Sequence, residues 1–343
     1  VKRRGHLRLL SALMVMLLIL AGCEGAAGGD NASKASGDQI GNSSDHAAGK
    51  PGENTADSQL TPADPAKTYE SRTLGIIYPM ANSTYESITQ HAEETAAKYN
   101  AKLLVQAPDE ANLEQQIRIM ETMIKQKLDG IAIDPVDADA LTPVINKAVA
   151  SGIPVICFES DSPRSNRLAY VGADNYETGR RMGILTDQLL DGEGMVLVET
   201  GMSQMHSLTQ RLEGLLHYLN EHTKIDVLEV RYNEGSETRA MTELETMIDG
   251  HPHFNAFLGL DFISGASSVL IWKAKGLKRN LITLGLNPDV EEGLRNGQVT
   301  AAISQNESNW GETIVQTLVK ASEGEAIEPF IDTGIVELMP AEE

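Results

Sequence analysis

Cysteine is nearly absent. Cys23 and Cys157 are the two in 343 residues, which excludes a disulfide framework and any multi-cysteine metal site. Positive charge is scarce as well. With 28 Lys and Arg against 49 Asp and Glu, the formal net charge of −21 sets up a field that repels phosphate backbones and anionic lipid surfaces, so nucleic-acid binding is not expected. Neither a P-loop nor a dinucleotide fingerprint occurs, although the chain has 30 glycines, and nucleotide use has no support. A Gly-x-Ser-x-Gly elbow and metal-ligand motifs are missing too, which leaves an exported hydrolase without a positioned nucleophile and base. The expectation is a protein that is not an enzyme and needs neither cofactor nor metal.

The N-terminus carries a different signal. Lys2, Arg3, Arg4 and Arg8 precede the apolar run Leu9–Leu20, which at 12 residues is shorter than the roughly 20 needed to cross a hydrocarbon layer. Residues 1–22 therefore read as a signal peptide. Its end, Leu18-Ile-Leu-Ala-Gly-Cys23, resembles a bacterial lipobox, with Cys23 as the lipidation site; the alternative is an ordinary secretory cleavage site with an incidental cysteine. Beyond it, Gly, Ser, Ala, Asp and Asn dominate, and Ile40 and Leu60 are the only large apolar side chains as far as Lys67. That composition cannot offset the entropy of ordering, so residues 23–70 read as a lipidated flexible tether.

After Tyr69 the texture changes. Apolar runs of strand length, at Leu74–Ile77, Leu103–Val105, Ile131–Ile133, Ile153–Phe158, Met195–Val198, Val227–Val230, Ala256–Leu260 and Leu281–Leu286, alternate with amphipathic segments. Leu113, Ile117, Met120, Ile124 and Leu128 share one helix face, and Leu208, Leu212, Leu215 and Leu219 another. Strand then helix, repeated, means βαβ units, and apolar strands buried on both faces mean parallel sheets. The body exceeds one ordinary core, so two α/β lobes are expected, with a ligand crevice at the carboxyl ends of the strands. Cys157, inside an apolar run, reads as inert core. His251 and His253 read as a solvated turn. Asp137 and Asp139 read as caps of the helical segment Ala140–Ala150, whereas Asp134 directly ends a strand and faces the crevice mouth.

These residues carry a family resemblance over Thr73 to Met339. Asp134-Pro-Val-Asp-Ala-Asp139, Gly152-Ile-Pro-Val-Ile156, Val171-Gly-Ala-Asp-Asn175 with Gly179, Arg211-Leu-Glu-Gly-Leu215, Gly285-Leu-Asn287 and Ala302-Ile-Ser-Gln305 with Gly311, in this order and spacing, resemble a type I periplasmic sugar-binding protein of the ribose-binding group. The resemblance implies two doubly wound parallel-sheet α/β lobes joined by a three-segment hinge. The N-terminal lobe would take 71–172 plus 306–332, and the C-terminal lobe 173–305 plus 333–343. It implies a ligand site of Asn82, Tyr85, Asp134, Glu159, Arg211, Asp261, Asn287 and Gln305. The departures fall there: Glu159-Ser160 replaces the usual aspartate and arginine, Leu260-Asp261 an Asn-Asp pair, and Asn287 a common aspartate. For Arg211 the competing reading is a pair with a surface acid, and for Asn287 a turn before Pro288. The function implied is capture of a sugar or polyol by a lipid-anchored extracytoplasmic receptor that serves an ABC import permease, or that signals to a membrane histidine kinase.

Overall fold

The computed structural model describes residues 63, 64 and 67–340; Cys23, the signal peptide and most of the tether lie outside them. The eight apolar runs coincide with strands β1 (Arg72–Ile77), β2 (Ala101–Gln106), β3 (Gly130–Ile133), β4 (Val155–Phe158), β6 (Glu193–Thr200), β7 (Lys224–Tyr232), β8 (Ala256–Gly259) and β9 (Asn280–Leu284). Four more strands are present: β5 (Ala169–Gly172), β10 (Ala301–Ser304), β11 (Phe330–Asp332) and β12 (Val336–Leu338). The helices are α1 (Ser83–Lys98), α2 (Leu113–Gln126), α3 (Thr142–Ala150), α4 (Asn175–Leu190), α5 (His206–His222), α6 (Glu237–Gly250), α7 (Phe262–Lys275), α8 (Pro288–Arg295) and α9 (Trp310–Ser322).

Two six-stranded sheets result, ordered β11-β5-β4-β3-β1-β2 and β12-β10-β9-β8-β6-β7. All pairings are parallel except β10 with β12. Topology explains the exception. The first sheet's strands end at the cleft, and the chain leaves β11 there to enter the second lobe directly as β12. It must then run away from the cleft, against strands that run toward it. The chain passes between lobes after β5, after β10 and after β11, as a three-segment hinge requires.

Three glycines set how closely the helices pack. A Cβ on Gly179 would overlap the Arg211 carbonyl, one on Gly214 the Tyr176 carbonyl, and one on Gly311 the Ile88 carbonyl. The first two draw α4 and α5 into backbone contact within the second lobe; the third seats α9 against α1 in the first. Asp137 Oδ1 accepts from the N–H groups of Asp139 and Ala140 at 3.0 and 2.9 Å, while Asp139 pairs with Arg164 instead of capping. The thiol of Cys157 is buried, and burial raises its pKa far above the ordinary thiol range. At the end of the expected tether, Lys67 pairs with Glu323 at 2.9 Å and Tyr69 packs edge-on against Tyr99, so the ordered body begins before residue 71. No described helix is long and apolar enough to cross a membrane.

Candidate functional site

The carboxyl ends of both sheets meet at a small cavity of about 30 Å³ lined by Met80, Asn82, Tyr85 and Glu159 from the first lobe and Met202, Met205, Leu208, Arg211, Asn233, Asp261 and Phe262 from the second. That is room for about two water molecules, and the Arg211–Glu159 ion pair spans the cleft, so the lobes are closed upon each other. Arg211 is at the centre, fully buried on the second turn of α5. Its Nε donates to Asn175 Oδ1 at 2.8 Å, Nη1 to the Leu260 carbonyl at 3.2 Å, and Nη2 to Gln305 Oε1 at 3.2 Å and to Glu159.

Glu159 comes from the opposite lobe. It follows β4 in a left-handed conformation with φ 57°, an unfavourable backbone state for a residue with a Cβ. The surroundings fix it there: its carbonyl accepts from Tyr170 Oη at 2.7 Å and Asn175 Nδ2 at 3.2 Å, and its carboxylate from Ser207 Oγ at 2.9 Å as well as Arg211. Beside it, the Ser207 N–H donates to Ser160 Oγ at 3.1 Å. An ion pair and three further hydrogen bonds, from Asn175 Nδ2, Ser207 Oγ and the Ser207 N–H, therefore cross from lobe to lobe at Glu159 and Ser160.

The other expected positions divide into four groups. Gln305 joins Arg211 directly and is held by Nε2 contacts to Asn175 Oδ1 and Thr178 Oγ1, both 2.9 Å. Tyr85 lines the cavity from the first lobe and Asp134 lies behind it, the phenol donating to Asp134 Oδ2 at 2.9 Å while its ring stacks on Tyr78 with centroids 4.6 Å apart. Burial first, then the carboxylates Asp134 and Glu159, raise the Tyr85 pKa. Asn82 and Asp261 line the cavity but spend oxygens on helix N-termini, Asn82 capping α1 and Asp261 capping α7. Asn287 is not brought to this cavity. It caps α8 and lines a separate cavity of about 330 Å³ with Ser83, Thr84, Ser304 and Glu307. Asn175, Ser207 and Asn233 belong to the network without having been singled out in the sequence. Asn175 lay inside a quoted stretch, but its two-way bridging between Arg211 and Gln305 depends on contacts 36 and 130 residues apart.

One buried acid lies just behind the site. Glu199, on β6, has both carboxylate oxygens without a partner, and its pKa is raised to about 9, by burial first and then by Asp261 and Glu243.

The sequence from residue 74 to 326 matches the periplasmic binding protein domain. The chain belongs to the periplasmic binding proteins. Among curated relatives, the D-ribose/D-allose-binding protein of Pseudomonas aeruginosa is 26% identical over 238 residues, covering 67% of this chain and 74% of that protein. Ribose import binding protein RbsB of Bacillus subtilis is 21% identical over 238 residues, covering 68% and 76%. Among solved structures, an ABC transporter solute-binding protein from Burkholderia graminis in complex with D-arabinose superposes with a TM-score of 0.75 at 26% identity, covering 80% of this chain and 96% of that one. The XylFII–LytSN complex has a TM-score of 0.74 at 22% identity, covering 79% and 98%. This periplasmic binding protein therefore has binding proteins, not enzymes, for relatives.

Proposed function

We propose that the protein is an extracytoplasmic receptor, anchored by a lipidated Cys23, that captures a sugar or related polyol between its lobes and delivers it to an ABC import permease. The observation that carries this reading is the cross-lobe pairing of Glu159 with Arg211, which is itself bonded to Gln305, on a chain matched by a binding-protein family from residue 74 to 326. Planar carboxylate, guanidinium and amide groups can each serve two adjacent hydroxyls, and an aromatic wall such as Tyr85 suits a sugar's C–H face. Closure is a population shift, because a ligand touching both lobes favours the closed state by its differential affinity. A relative bound to D-arabinose and relatives that bind ribose support the substrate class.

A second reading, signalling to a membrane histidine kinase, shares this binding step. It is favoured by one observation, the solution of a neighbouring fold as the two-protein complex XylFII–LytSN. A thermal-shift screen of pentoses, hexoses and polyols tests the receptor reading, with at least one compound expected to raise the midpoint; none doing so defeats it. The anchor is tested separately by Cys23→Ala, which should move the protein from the membrane fraction to the medium, since acylation is the proposed attachment. Retention on membranes in high salt would refute lipid anchoring.

A further inference from the structure

The closed cleft buries more carboxyls than cations. Asp134, Glu159 and Asp261 are all buried, and Arg211, the guanidinium beside them, pairs with Glu159. Asp261 is well served, with Ile263 N–H, Ser264 N–H, Ser264 Oγ and Asn233 Nδ2 all donating to it. Asp134 is not. Its Oδ2 takes the Tyr85 hydroxyl, while its Oδ1, on a residue with no exposed surface, has no partner. The groups that face Asp134 are the Tyr85 phenol from α1, the Ser160 backbone and the Glu159 carboxylate; burial first, and then Glu159, raise its pKa well above the usual carboxyl range. No other Lys or Arg among the described residues forms an ion pair with either carboxyl. Two adjoining buried carboxyls with one guanidinium, held on Glu159, leave one negative charge uncompensated, a costly arrangement unless a cation or a proton occupies it.

We propose that the compensating charge arrives with the ligand, and that the cleft selects an amino-substituted polyol, such as an amino sugar or aminocyclitol, whose ammonium is held between Asp134 Oδ1 and Glu159. The inference rests on the reading of the cleft as a sugar site and narrows it. The apolar side chains of Met80, Met202 and Phe262 at the cavity receive the ring's C–H face. In the empty closed state a proton on Asp134 does the ammonium's work. Binding then exchanges one cation for another: the carboxylic acid gives its proton to solvent as the ammonium's N–H groups bond to the carboxylate.

The test is titration calorimetry on the full chain at pH 7, in two buffers of different ionisation enthalpy. The probes come in pairs: glucosamine with glucose, galactosamine with galactose, mannosamine with mannose, and an inosamine with inositol. At least one amine should bind about tenfold or more tightly than its hydroxyl parent, since charge-assisted hydrogen bonds are the strong ones, with release of close to one proton. Asp134→Asn should abolish both the preference and the proton release. Parents that bind as well as their amines, or a preference indifferent to Asp134→Asn, would overturn the inference while leaving the sugar reading standing. Binding by no member of any pair, and by no sugar or polyol in the thermal-shift screen, would overturn the sugar reading and this inference with it. Should Asp134→Asn not fold, the proton count on the unaltered protein decides.

Discussion

Replacing Arg211 by methionine, which keeps most of the volume and removes the charge, should open the cleft. The guanidinium is fully buried and makes four hydrogen-bonded contacts, among them the ion pair with Glu159 across the lobes. Removing one partner of a buried pair leaves the other charged in a dry site, at a cost of about 3–5 kcal/mol. In a rigid core that cost would appear as lost folding stability. Here a cheaper escape exists, because separating the lobes returns Glu159 to water. The first lobe's stability should therefore barely change and the second should lose about 1–3 kcal/mol, because Asn175, the Leu260 carbonyl and Gln305 lose their donor, while the closed state loses a factor of about 100 or more relative to the open one, at one decade per 1.4 kcal/mol. Small-angle scattering and the distance between one spin label on each lobe would report the opening. Adding Glu159→Leu to Arg211→Met should restore most of the closed population, since an apolar pair can replace a buried ion pair at little or no cost. An Arg211→Met variant as closed as the parent would refute the reasoning, as would a double variant more open than the single one.

Further outcomes are expected elsewhere. Glu159→Asp, one methylene shorter, should widen the cleft in the same distance measurement, because the carboxylate no longer reaches Arg211 with its backbone fixed by Tyr170 and Asn175. Glu199, with its pKa raised to about 9 in the folded state, favours folding below the unfolded value near 4.5; that contribution falls as pH rises between the two and is lost above 9. Glu199→Gln should accordingly raise stability at pH 7 by up to about 3 kcal/mol and flatten the dependence of the midpoint on pH from 5 to 9; an unchanged slope would show that Glu199 does not titrate this way. Gly214→Ala should lower the midpoint by about 5 °C, the effect of an overpacked helix contact, because its Cβ would overlap the Tyr176 carbonyl; a midpoint within 1 °C of the parent would contradict the close approach of α4 and α5.

The fold was legible where burial leaves a continuous apolar run. Strands such as Ile131-Ala-Ile133 and Ile153-Pro-Val-Ile-Cys-Phe158 have no solvent face, so their sequences show strand length and little else. The four further strands escape that criterion for two reasons. Ala169-Tyr-Val-Gly172 and Ala301-Ala-Ile-Ser304 are buried but built largely of small side chains, and their apolar runs are too short to register alone. Phe330–Asp332 and Val336–Leu338 are three-residue edge strands, mostly exposed, whose existence depends on the sheets they border. Nothing local marks an edge that a distant strand creates.

The site was legible in its members and not in their relations. Glu159 and Arg211 could be singled out from a pattern of positions, but the sequence offered for Arg211 either a ligand or a surface acid on its own helix. The structure provides a third arrangement, a buried acid from the other lobe. The departure at Glu159 accounts for it. An aspartate at the end of β4 would stop one methylene short, leaving the guanidinium to a ligand; the glutamate spans the gap, and Ser207 and Ser160 add hydrogen bonds beside it. A ligand entering this cleft must therefore displace or join an existing cross-lobe pair. A neutral polyol exchanges charged hydrogen bonds for neutral ones, which are roughly half as strong. An ammonium leaves Arg211 on Glu159 and gives a partner to the Asp134 oxygen that has none. The change that makes the closed empty state stable is then the same one that tilts the cleft toward a cationic ligand.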